Sequence, residues 1–246
     1  MDLTKIVRNS FKYSIKNIVK LPIIGILFIL MAFVPIGRVL ENNYVVFIGV
    51  VGFFLFLLIV PGYFLNIVKK GSMESSLFPS FNLVNNIYDS IRVLILRAAY
   101  MIVPVAVFFI ALFSFGPVGM DFINNFQIHI FLATFGVIFL VILLTYLIFE
   151  FLLFFAKARL AYLNSLSEAL KINMVLRDIK NIGIVNIIKW MIFMAVLMIG
   201  VSLISSVVMA IPYVGFLIYI GVVIPMVESI GNYSLGMLYS NINLNN

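Results

Sequence analysis

Residues 44–70 read YVVFIGVVGFFLFLLIVPGYFLNIVKK: Tyr44 to Val68 carry no charge, and Lys69 and Lys70 close the run. A helix needs about 20 apolar residues to cross roughly 30 Å of hydrocarbon, so this stretch can span a bilayer with some tilt. Five more runs of this kind flank it. Leu21 to Gly37 lies between Lys20 and Arg38. Ala98 to about Gly119 is entered from Arg97 and left through Gly116, Pro117 and Gly119 into Asp121, and Ile130 to Phe155 ends at Lys157 and Arg159. Trp190 to Ala210 is followed by a tight reversal at Ile211-Pro212-Tyr213-Val214-Gly215, after which a sixth run continues to about Tyr239. The expected fold is all-α, a polytopic membrane protein with six transmembrane helices. One integral membrane domain covers residues 1–246, with spans near 21–37, 44–68, 98–119, 130–155, 190–210 and 214–239.

Composition agrees. The chain is 64% hydrophobic and 10% charged, with a mean hydropathy of +1.22, whereas soluble domains carry about 25% charge. No cysteine and a single histidine exclude disulfides, thiol nucleophiles, cysteine zinc sites and multi-histidine metal sites, so no cofactor is expected. Nucleic acid is not the expected partner of the +7 net charge, because the basic residues sit between apolar runs and not on a soluble face. The N-terminus lacks the short charged region and small-residue site of a cleavable signal.

Cytoplasmic loops are enriched in Lys and Arg. Lys5, Arg8, Lys12, Lys16 and Lys20 precede the first span. Lys69, Lys70, Arg92 and Arg97 join the second to the third, and Lys157, Arg159, Lys171, Arg177, Lys180 and Lys189 join the fourth to the fifth. Only Arg38 falls on the other side. The expectation is a multi-pass protein of the cell membrane with both termini cytoplasmic. Trp190, Tyr100 and Tyr213, near span ends, fit interfacial anchors.

The three basic segments, about 3–20, 82–96 and 166–182, read as amphipathic helices, which would make three parallel repeats of interfacial helix plus helical hairpin. In the first, Arg8, Lys12, Lys16 and Lys20 recur every four residues opposite Leu3, Ile6, Val7, Phe11, Ile15, Ile18 and Val19, the pattern of a helix lying on anionic lipid headgroups. In the second, Leu83, Ile87, Ile91 and Leu94 form the apolar stripe. In the third, Ser165 and Glu168 form a capping box and Gly183 stops the helix. The alternative is that these segments are the ends of long tilted spans.

Four short elements resemble a known family. They are Leu77-Phe78-Pro79-Ser80-Phe81, Ala156-Lys157-Ala158-Arg159-Leu160-Ala161 with Ser165-Leu166, Ile211-Pro212-Tyr213-Val214-Gly215, and Gly231-Asn232-Tyr233-Ser234-Leu235-Gly236-Met237-Leu238-Tyr239. Together they are similar to domain of unknown function 4013, a family of archaeal six-span integral membrane proteins. The resemblance implies the fold and carries no activity with it. This chain has Ser80, Asn82 and Asn85 where the family typically has more acidic residues, and Ser240 where a basic residue often follows the final tyrosine.

Ionisable groups inside spans are costly unless paired or hydrated. Glu150 lies seven residues before Lys157, about 10 Å above the end of span four, and Glu228 lies at similar depth in span six. With Arg97 and Lys189 entering from neighbouring span ends, and Asn66 and Asn232 close by, they form a candidate polar cluster lining an inward-facing cavity. The competing reading makes each a paired or snorkelling residue that sets helix depth, and makes the two asparagines interhelical hydrogen-bond donors. His129, near Asp121 and Asn125, is read as a lone interfacial imidazole. Gly49 and Gly52, and Gly200, Ser202, Ser206 and Ala210, offer small packing surfaces. Pro61, Pro104 and Pro225 each can kink a helix and free a carbonyl.

No H-E-x-x-H, P-loop or Ser-His-Asp set occurs, so an enzyme is not expected and no catalytic residue is assigned. The leading expectation is a non-enzymatic integral membrane protein that organises lipids or partner proteins. Its partners would be anionic headgroups contacted by Arg8, Lys12, Lys16 and Lys20, with a homo-oligomer or a membrane complex partner as the protein class. The rivals are a small transporter or channel using the inner-third acids and an intramembrane lipid-modifying enzyme.

Overall fold

The helices, in chain order, are α1 (Leu3–Lys16), α2 (Pro22–Val39), α3 (Asn43–Ser72), α4 (Leu83–Asn124), α5 (Ile128–Leu163), α6 (Leu166–Ala169), α7 (Ile172–Ile182), α8 (Ile184–Met209), α9 (Gly215–Ile218) and α10 (Ile224–Ser240), the last two joined by a π-helical turn over Tyr219–Val223. This computed structural model describes residues 2–124, 128–211 and 214–240, and the side chains of all these except 115–134. Six helices are long and apolar enough to cross a membrane: Pro22–Val39, Asn43–Ser72, Leu83–Ser114, Phe135–Leu163, Ile184–Met209 and Gly215–Ser240. The protein is an all-α multi-pass membrane protein.

Local chemistry sets the helix ends. Asp2 accepts from Thr4 N at 2.9 Å and Asn42 from Tyr44 N at 3.0 Å, capping α1 and α3 as side-chain oxygens do. Pro22 opens α2, where its missing N–H is no loss. Ser165 Oγ caps α6 by accepting from Glu168 N. Gly183, at φ +86, ends α7 and lets α8 start at once in a new direction.

The sixth span forms the centre of the packing, with every residue from Ser229 to Tyr239 buried. Pro225 has no N–H to donate to the carbonyl four residues earlier, that of Gly221. The π turn just before it widens the helix there. Gly221 lies against Gly25 of α2, where a Cβ would stand 1.9 Å from the Gly221 oxygen. Gly71 and Gly236 bring α3 and α10 equally close, and Gly49 and Gly52 hold α3 on α2. By contrast, 6% of the apolar stretch is buried in each of the fourth and fifth spans, against 39% in the sixth.

Several expectations change. Segment 82–96 is not a separate interfacial helix, because α4 runs unbroken from Leu83. Its polar stripe is met by neighbouring protein groups instead of headgroups: Ser90 accepts from the Gly62 backbone N–H at 2.8 Å, and Arg92 donates to Asn164 at 2.8 Å. The threefold repeat therefore lacks its middle amphipathic helix. Segment 166–182 is two helices broken at Leu170 and Lys171. In α1 the buried face is Ile6, Ser10, Tyr13 and Ser14, while Ile15, and Ile18 and Val19 in the turn that follows, are exposed, so the expected apolar side divides between the bundle and the surface. The basic residues Arg8, Lys12, Lys16 and Lys20 are exposed.

The backbone of α4 stays helical past Gly116, Pro117 and Gly119, so these residues do not end the helix. A Cβ at Gly200 would meet nothing within 4 Å, and Ser202 and Ser206 bond to their own helix, so among the described residues no neighbouring helix packs closely on this part of span five. Trp190 is no anchor: it is buried, donating to Ser234 Oγ at 3.0 Å. Tyr100 is likewise buried and donates to the Ala169 carbonyl at 3.0 Å. The readings of Asp121, Asn125, His129, Pro212 and Tyr213 lie outside the described residues and side chains.

Candidate functional site

Polar side chains gather where α3, α4, α5 and α10 approach the ends that carry most of the lysines and arginines. Three groupings result. The first contains four of the six cluster residues expected from sequence. Arg97 Nη2 lies 2.8 Å from Glu150 Oε1, which also accepts from Tyr146 Oη at 2.9 Å. Beside this pair, Lys157 Nζ donates to Asn232 Oδ1 at 2.7 Å, and Asn232 Nδ2 donates to Glu228 Oε2 at 3.1 Å and to the Glu228 carbonyl at 2.7 Å. The amide thus links an ammonium on α5 to a carboxylate one turn earlier on α10. Each charge has a polar partner, as apolar surroundings require.

Both sets face one cavity of about 340 Å³. Phe28, Phe56, Phe64 and Leu153 supply apolar wall, and Arg97, Glu150, Lys157 and Glu228 supply polar wall. Two cations and two carboxylates leave it without formal charge. Lys189 is exposed and does not line it, and Asn66 faces a different cavity. Lys157 is the residue that sequence reading missed. In the sequence it serves as a topology marker, and the signal that could have found it is its position between Ala156 and Ala158 in an otherwise apolar helix.

The second grouping surrounds Asn66. Its Nδ2 donates to Asp89 Oδ2 at 3.2 Å and to the Gly62 carbonyl at 3.1 Å, and Arg92 Nη1 donates to Asp89 Oδ1 at 3.1 Å. Asn82, Asn85 and Ser80 line the same cavity.

The third grouping has a buried pair, Arg159 and Asp178, with Glu168 and Lys171 outside it, and holds α6 and α7 on the bundle. Arg159 Nη1 lies 2.5 Å from Asp178 Oδ2, which also accepts from the Tyr239 hydroxyl. Arg159 Nη2 reaches Glu168 Oε2 at 3.3 Å, and Lys171 Nζ reaches Glu168 Oε1 at 2.6 Å. Burial pushes the Asp178 carboxyl above the usual aspartate value against the pull of Arg159. The hydrogen bonds from Lys171 and then Arg159 lower the exposed Glu168 carboxyl. Sequence reading assigned this network no role, since Arg159 and Asp178 are far apart in the chain and joined only by the fold.

Among the described residues no group of three or more His, Cys, Asp or Glu is placed to hold a metal ion. A family model described as protein of unknown function (DUF4013) matches residues 45–210. The chain belongs to that family. The DUF4013 match takes in Asn66, Asp89, Arg92, Arg97, Glu150, Lys157, Arg159 and Asp178, and leaves α1, α2, Glu228 and Asn232 outside. No curated protein and no solved structure matches the chain.

Proposed function

We propose that this is a non-enzymatic protein of the cell membrane that holds an amphipathic, lipid-like molecule between its helices and so organises lipids around itself. One observation supports this reading: the cavity of about 340 Å³ has aromatic and aliphatic wall on one side and the Arg97–Glu150 and Lys157–Asn232–Glu228 sets on the other. An occupant with an apolar body and a polar, overall neutral end complements both. No nucleophile with an adjacent base faces the cavity among the described residues, which favours binding over covalent chemistry. The exposed Arg8, Lys12, Lys16 and Lys20 suit anionic headgroups. Their distribution, with nearly all other cations, supports a cytoplasmic position for both termini.

The experiment is lipid extraction and mass spectrometry of protein purified from native membrane in mild detergent. Wild type is expected to retain an amphiphile that Val60→Trp and Val93→Trp, which fill the cavity, exclude while the helical content is unchanged. Equal retention by wild type and both variants overturns the reading.

A second reading has its own support, because the same cavity reaches two carboxylates inside spans. A transporter or channel moving protons or cations by Glu150 and Glu228 would show flux in liposomes that Glu150→Gln or Glu228→Gln abolishes. Flux of this kind without retained amphiphile replaces the first reading with the second.

A further inference from the structure

The cavity at the start of α4 is separate from the one just discussed. It encloses about 380 Å³, the small end of the roughly 300–1,000 Å³ common for small-molecule sites. The end of α3 supplies Lys69 and Lys70, the first turns of α4 supply Asn86, Asp89 and Arg92, and the end of α5 supplies Asn164. Arg92 and Asp89 neutralise each other at 3.1 Å, and the second oxygen of Asp89 is taken by Asn66. Lys69 and Lys70 form no ion pair among the described residues. The wall therefore carries two positive charges in excess.

A second observation is independent of charge. Asn86 lines this cavity, is 1% exposed, and its Nδ2 has no hydrogen-bond partner among the described residues. Buried amide donors are almost always paired, and one left over marks a place where an acceptor belongs. The carboxylate already present is fully engaged. An anion with several acceptor oxygens would complement both the free amide and the excess positive charge. The N-terminal end of α4, capped where Asn82 Oδ1 accepts from Asn85 N at 3.1 Å, adds its positive dipole on the same side.

We propose that this cavity binds a phosphate group, carried by a lipid headgroup or by a soluble phosphate ester, with Lys69 and Lys70 matching its charge and the Asn86 amide donating to one of its oxygens. A carboxylate offers less charge and fewer oxygens than two lysines and a free amide can use. Basic cavities between membrane helices at headgroup level suit phosphate headgroups.

The test is calorimetric titration of the full chain in nonionic detergent with inorganic phosphate, glycerol 3-phosphate, short-chain phosphatidic acid and short-chain phosphatidylcholine. Binding of phosphatidic acid alone makes the source a lipid, and binding of glycerol 3-phosphate or phosphate as well makes it a soluble ester. Both support the site. In either case Lys69→Gln/Lys70→Gln is expected to weaken binding by roughly 30-fold, from about 1 kcal/mol per basic residue. Lys69→Arg/Lys70→Arg should keep most of it, and Asn86→Asp, which replaces the free donor with a charge of the wrong sign, should abolish it. If Asn86→Asp fails to fold, the lysine pair, half-exposed at the end of α3, still decides the matter. Wild type that binds none of the phosphate probes, binds phosphatidylcholine as well as phosphatidic acid, or binds equally with both lysines replaced by Gln overturns the proposal. So does any of these results where the amphiphile cavity still retains its occupant.

Discussion

Lys157 of α5 and Asn232 of α10 meet at 2.7 Å, and the same amide bonds onward to Glu228. An amide between an ammonium and a carboxylate keeps both charges solvated while holding them too far apart to form a direct pair. The three residues should therefore act as one unit. Lys157→Met and Glu228→Gln are each expected to lower the thermal midpoint in detergent, and the double variant to lose less than their sum. The interaction energy should be about 0.5–2 kcal/mol, the range for polar contacts within membranes. Strict additivity would mean that the chain of bonds does not couple the two helices.

Close helix contact in this bundle is made by selected glycines only. A Cβ at Gly236 would stand 2.0 Å from the Val68 carbonyl oxygen, whereas at Gly200 it meets nothing. Gly236→Ala is expected to destabilise by roughly 1–3 kcal/mol through forced separation of α3 and α10. Gly200→Ala should be neutral or stabilising by up to about 1 kcal/mol, from helix propensity. Denaturation of the two variants side by side checks this, and equal losses would place the helix contact elsewhere.

Asp178 and Glu168 respond to acid in opposite senses. Burial raises the Asp178 carboxyl, so its contribution to stability is present below the ordinary aspartate value and lost as pH rises through the raised one. Lys171 and Arg159 lower Glu168, so its contribution is present above the ordinary glutamate value and lost as pH falls through the lowered one. On acidification wild type should gain on Asp178→Asn and lose its advantage over Glu168→Gln. Melting curves taken from neutral to acid pH test both, and parallel curves for all three proteins would contradict the assignment.

The chain has no cysteine, so single replacements report cleanly on sidedness. Lys12→Cys and Ser76→Cys are expected to react with an impermeant maleimide from the cytoplasmic side of sealed vesicles, and Glu41→Cys from the other side only. Labelling of Lys12→Cys and Glu41→Cys from the same face would refute the orientation.

Six spans were legible because apolar length is a property of the chain alone: Tyr44 to Val68 carries its own evidence. Capping at Ser165 and the stop at Gly183 were legible for the same reason, each resting on residues next to one another. What the sequence hid depends on which faces meet. Arg159 and Asp178 are joined by the way α7 folds back on α5, and Lys157 gains its partner only when α10 arrives beside it. Segment 82–96 has the stripe of a surface helix, yet Ser90 and Arg92 spend that polarity on Gly62 and Asn164. A polar face in a membrane chain does not announce whether water, lipid or another helix will satisfy it. The motif Gly231 to Tyr239 was visible as a pattern without a reason. Its reasons are now separate contacts: Asn232 on Lys157, Tyr233 stacked on Tyr13 at 4.0 Å, Ser234 on Trp190, Gly236 on Val68 and Tyr239 on Asp178.

The sixth span is both the least oily, at a mean hydropathy of 1.5 against 2.2 to 2.8 for the others, and the most enclosed. Partitioning into bare hydrocarbon is weakest for the segment whose apolar stretch ends up with the largest buried share. Insertion is then expected to differ along the chain: the fourth and fifth spans suit lipid by themselves, whereas the segment bearing Glu228, Ser229 and Asn232 suits a groove made by its predecessors. A defect in that groove would surface during synthesis, as a hairpin that fails to stay in, before it ever showed in the finished molecule.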